Sequence, residues 1–191
     1  MDKLMFNLIK DPSAGVRMEA CQSLLAMGPP SNADPNGYIK DIKPYLDVLA
    51  SRLKLEKDPS VRCWLLILEM MYDDRSFTAN IPTLGKTAET AEAPVRIQAL
   101  SALTVLGTRA QPALSSVRQC LTHKDPNVLA AALVCLGAIG EPAKSVIPDL
   151  EKMKTETKDE SLKKALTETI ATIQGMKKEA AMPKKEEPKK P

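Results

Sequence analysis

Side chains able to do chemistry are few in this sequence, and they do not converge. The one histidine, His123, sits in "THKDP". Alone it supplies neither a His-x-x-His pair nor a histidine-rich metal site, and the expectation is an exposed or capping residue near a helix end. Asp73 and Asp74 are adjacent. Paired carboxylates can share acid–base work, but here they read as a solvated helix terminus. Cys21, Cys63, Cys120 and Cys135 form no C-x-x-C, and each lies in an apolar stretch, as buried reduced thiols do. No G-x-S-x-G, P-loop or G-x-G-x-x-G occurs. The reading is no enzyme, no metal and no cofactor. What does recur is charge: Arg17, Arg62 and Arg96 fall at one repeated position, and Asp11, Asp58 and Asp125 stand in the turns before it or its equivalent.

The elements that carry these residues are periodic. In "HKDPNVLAAALVCLGAIGEPA", anchored on Val128, apolar or small residues follow at Leu129, Ala132, Leu136 and Ile139, and Gly140 closes the run. The same spacing starts at Val16, Val61, Val95 and Leu162, with intervals of 45, 34, 33 and 34 residues. Offsets of 0, 4, 8 and 11 lie along one stripe of a helix. Asp-Pro at Asp58 and Asp125 predicts an N-cap with proline at the first helical position, and the terminal glycine predicts a left-handed C-cap. A second apolar-periodic segment precedes each anchored one, for example Ile81, Leu84 and Ala88, then Leu114, Val117 and Leu121. The unit is a helix pair, and pairs must stack to cover one another.

The residues "DPSVR", "APVRIQALSALTVLG" and "DPNVLAAALVCLGAIGEPAKSVIPDL" resemble short HEAT repeats of the phycobilisome-lyase-like kind. The resemblance runs over about residues 1–174, more weakly in the second and fifth copies. It implies an all-α, right-handed α-solenoid of about five helix pairs over 1–175. In such arrays the repeated arginine pairs with a loop aspartate, so Arg17, Arg62 and Arg96 with Asp11, Asp58 and Asp125 are expected as a structural ladder. The resemblance also implies a non-enzymatic scaffold that binds a protein or peptide along its inner helical surface. The alternatives are an accessory subunit or enzyme of the phycobilin-lyase-like group and, less favoured, a nucleic-acid binder.

Charge bears on the last of these. Residues 1–175 hold 21 Lys+Arg against 21 Asp+Glu, and residues 176–191 hold 6 against 3, so the body is neutral. Aromatics make up 3% of the chain. A basic folded face and stacking rings, the usual means of gripping nucleic acid, are not indicated. No apolar run is long enough for a membrane span or a leader, and the expectation is a cytoplasmic protein without membrane or nucleic-acid partners. Three departures stand out. "PPSNADPNGY", within about residues 29–39, reads as an inserted loop. The tail 176–191, rich in Lys, Glu and Pro, reads as disordered. The helix "VRCWLLILEMMY" is apolar almost all round, and Arg62, Trp64, Ile67, Met70 and Met71 are the candidate partner-binding patch. Met5 and Phe6 are expected at an exposed end of the stack.

Overall fold

The computed structural model describes residues 3–27 and 35–175, with side chains from residues 6–27 and 43–175. Ten α-helices form five pairs: α1 (Lys3–Leu8) with α2 (Ala14–Met27), α3 (Pro35–Leu55) with α4 (Pro59–Tyr72), α5 (Phe77–Thr90) with α6 (Ala93–Leu106), α7 (Leu114–Gln119) with α8 (Pro126–Ile139), and α9 (Ile147–Glu156) with α10 (Glu160–Ile173). Among the described residues there is no strand. The even-numbered helices pack in succession, α2 on α4, α4 on α6, α6 on α8 and α8 on α10, and each odd-numbered helix lies against its even partner. This is an α-solenoid, and its core is the continuous seam between the two rows. Leu24, Leu65, Leu103 and Leu136 are fully buried along it.

Local chemistry sets the helix limits. Asp58 Oδ1 accepts the N–H groups of Ser60 (2.8 Å) and Val61 (3.0 Å), and Asp125 Oδ1 accepts that of Asn127 (2.8 Å). These are amides that the first turn cannot satisfy internally. Asp159 caps α10 in the same way, through Ser161 and Leu162. α6 and α8 end at Gly107 (φ 56°, ψ −131°) and Gly140 (φ 69°, ψ −134°). Their φ is positive as expected, but ψ lies outside the left-handed helical well, in a region open to glycine alone. Short 3₁₀ segments, Gly107–Ala113 and Glu141–Val146, then turn the chain back. Ala110 and Ala143 are fully buried in them, where the chain has room for only a methyl group.

Two expectations are corrected. Residues 35–39 are not loop: α3 begins at Pro35, where the fixed φ of proline suits the first helical position and its missing N–H goes unneeded. The same Asp-Pro pair that opens α4 and α8 stands at 34–35. Residues 29–34 and the tail 176–191 lie outside the described residues. Phe6 is not exposed either. It is 5% accessible and packs on Tyr45 (centroids 4.5 Å apart) and Tyr72 (6.1 Å).

Candidate functional site

Three of the turns between paired helices share one pattern. The residue two before the capping aspartate accepts that aspartate's own N–H: Glu56 Oε1 from Asp58 (2.9 Å), His123 Nδ1 from Asp125 (3.1 Å), Thr157 Oγ1 from Asp159 (3.2 Å). The aspartates are therefore occupied with amides, and the expected arginine–aspartate ladder does not form. The arginines donate instead to backbone carbonyls of the turn or of the end of the preceding helix. Arg17 Nη1 donates to the carbonyls of Asp11 and Pro12 (both 2.9 Å). Arg62 Nη1 donates to the Leu53 carbonyl. Arg96 donates through Nε to Ala91 and through Nη1 to Ala88 (3.0 Å).

Arg17 does more. Its Nε and Nη2 each hold an oxygen of Glu56 at 2.8 Å, and Arg52 binds Glu56 Oε2 from Nε (3.1 Å) and Nη2 (2.7 Å). The Glu56 side chain is fully buried. Burial pushes its carboxyl up, but the hydrogen bonds from Arg17, Arg52 and the Asp58 amide outweigh that and hold it at about 2. This carboxylate, absent from the expected ladder, fastens the first pair to the second. Its sequence signal was the recurrent x-Lys-Asp of "EKDPS", "HKDPN" and "TKDES".

The apolar patch expected on α4 is largely enclosed. Ile67 and Met70 are buried, Trp64 is 7% accessible, and the indole Nε1 donates to Gln98 Oε1 of α6 at 2.9 Å. Arg62 remains exposed and Met71 half-buried. The aspartates at 73 and 74 are not a catalytic pair. Asp73 takes the Arg75 guanidinium at 2.8 and 3.0 Å, which holds its carboxyl below the ordinary range, while Asp74 faces Arg109 at 3.4 Å. All four cysteines are free and buried. Burial pushes the Cys21, Cys63 and Cys135 thiols up to about 12, which leaves them protonated and unreactive. Among the described residues no cluster of His, Cys, Asp or Glu could hold a metal ion, and no helix is long and apolar enough to cross a membrane.

Two concave features among the described residues bear on function. A groove of about 950 Å³ opens where the turns after α5, α7 and α9 line up. Its origin is legible in equivalent positions of successive units. α5 and α7 pack directly, because Gly85 leaves room for Ala113 and Ser116 of the next unit. One unit on, the matching positions are Arg118 and Asp149, which form an ion pair (Nη2 to Oδ1 3.0 Å) and hold α9 off α7. Arg96, Gln119, His123 and Lys124 line the resulting opening. The second feature is a shallow trough of about 470 Å³ between α8 and α10, floored by small residues such as Gly137, Ala138 and Ala165. Beside it Val134 is 62% exposed, and on α6 Val105 is 53% exposed.

Comparison with known proteins agrees with this architecture. No curated protein sequence matches the chain. Among solved structures, the crystal structure of an engineered protein from the Northeast Structural Genomics Consortium is similar in fold. It aligns with a TM-score of 0.53 and 21% identity over 90% of this chain and 78% of its own. Residues 81–171 match the family described as HEAT repeats, a stretch that runs from α5 through most of α10. With that match set in a solenoid of helix pairs, residues 81–171 are identified as HEAT repeats.

Proposed function

We propose that the protein is a non-enzymatic scaffold that binds a protein or peptide partner along its inner helical surface, the face of the even-numbered helices. The observation that carries this reading is the pair of exposed valines on adjacent even-numbered helices, Val105 on α6 and Val134 on α8, the second of which lines the trough between α8 and α10. Branched apolar side chains left in water on a rigid stack are energetically useful only when something covers them. A trough floored by glycine and alanine admits a partner's side chain without rearrangement, and a rigid stack keeps such features at fixed spacing. The HEAT-repeat family match supports a scaffold in general, and the partner-binding role is the step taken here. The protonated, buried thiols fit a reducing compartment, and the scaffold is assigned to the cytoplasm.

The test is site-specific photocrosslinking in cells, with the reactive residue at positions 105 and 134 and, for contrast, at exposed Thr83 on α5. A discrete adduct from 105 and 134, lost in Val134→Asp, is expected. The same adducts from position 83, or none from any position, would dismiss the reading.

A further inference from the structure

The groove between α7 and α9 repeats a site that is already filled elsewhere in the chain. In the first filled case, Arg17 of α2, Arg52 of α3 and the amide of Asp58 surround the carboxylate of Glu56. Counting along the units, Arg17 corresponds to Arg96, Glu56 to His123, and Arg52, four residues before it, to Gln119. All three equivalents line the groove. One arginine and the capping amide are kept, the second arginine is replaced by glutamine, and the acceptor carboxylate is replaced by an imidazole ring.

Its remaining groups are donors as well. His123 Nδ1 accepts the Asp125 amide, so the neutral ring carries its proton on Nε2. Arg96 spends Nε and Nη1 on backbone carbonyls. The groove holds four cations and three carboxylates. The carboxylates are engaged: Asp149 by Arg118, Glu156 by Lys152 at 3.8 Å, and Glu89 by Lys86 at 3.3 Å. Among the described residues neither Arg96 nor Lys124 forms an ion pair with a carboxylate.

We propose that this groove binds the carboxylate of a glutamate side chain on a peptide partner, in the place that Glu56 occupies two units earlier. A lone carboxylate balances the surplus, whereas a phosphate dianion would overcharge a site already carrying three acids. The proposal goes beyond the scaffold reading and rests on a groove at the inter-helix turns rather than on Val105 and Val134, so either can fail without the other.

The experiment is a side-chain NMR titration of the full chain with the blocked peptide Ac-Ala-Ala-Glu-Ala-Ala-NH2. Saturable shifts at the Arg96 Nε–H and the His123 ring are expected. They should be absent with the glutamine peptide, and affinity should fall about ten-fold or more in Arg96→Gln, as for loss of a charge-assisted hydrogen bond. Because Arg96 also satisfies helix carbonyls, His123→Glu is the second variant. It builds the filled arrangement internally, so it should abolish peptide binding and raise the unfolding midpoint together. Equal shifts from the glutamine peptide or from inorganic phosphate, or unchanged binding in His123→Glu, would overturn the assignment.

Discussion

The turn between α3 and α4 and the turn between α7 and α8 share a backbone plan and differ in what it encloses. In the first, Glu56 draws two arginines and an amide into a dry cluster that joins neighbouring units. In the second, His123 keeps the amide contact, and the space beyond it stays open to solvent. The odd-numbered helices show the same contrast: a glycine lets α5 and α7 meet, and an ion pair holds α7 and α9 apart. A repeat protein thus gains a cleft by changing one or two side chains within a constant frame, with no new loop.

The comparison breaks first at Glu56. Glu56→Ala strands two arginines in a buried setting and should cost about 3–5 kcal/mol, read from urea unfolding. A loss below about 1 kcal/mol would reduce the cluster to an ordinary surface pair. The same group predicts an acid response. Its carboxyl is held at about 2 against an ordinary 4.5, so it contributes about 3 kcal/mol that is fully present above about pH 4.5 and is lost as pH falls toward 2. Glu56→Gln should remove that slope from stability measured between pH 6 and pH 3.

The helix contacts can be sharpened with a matched pair of glycine changes. A Cβ at Gly85 would meet Ala113 Cβ and Ser116 Oγ at 3.2 Å, so Gly85→Ala should destabilise by about 1 kcal/mol after the helix-forming gain. At Gly137 the nearest atom would be Thr172 Cγ2 at 3.8 Å, and Gly137→Ala should stabilise by about 0.5–1 kcal/mol. Thermal or urea midpoints moving the same way for both would refute the account of how α5 and α7 approach. Smallest is the cap: Asp125→Ala, which frees one amide, should cost about 0.5–1 kcal/mol by the same assay.

The helix pairs were legible because their signals are local. Asp-Pro, the stripe of apolar offsets and the closing glycine each act within a dozen residues, and α4, α6 and α8 begin within two or three residues of the anchors at Val61, Val95 and Val128. Asp159 escaped notice since Glu, not Pro, follows it, although it caps α10 as Asp58 caps α4. The ladder does not form because the backbone takes both sides of it: the aspartates accept amides of the helix they cap, and the arginines donate to main-chain carbonyls. Glu56 answers to an arginine 39 positions away, and no spacing rule reaches that far. The candidate groove depends on how closely successive odd-numbered helices approach, which follows from Gly85 and Arg118 only once the units are laid over one another. The residues around Trp64 were apolar as read, but which of them water reaches is decided by neighbours that a single helix does not display.

Trp64 is the only tryptophan in the chain, and its ring nitrogen is tied to Gln98 of the following unit. The seam between the second and third units therefore carries its own optical gauge. Should those units peel apart, the indole would lose that partner and meet water, and its emission would move to longer wavelength while distant units stayed folded. Fraying of the stack at that seam can be followed by colour alone, without any attached dye.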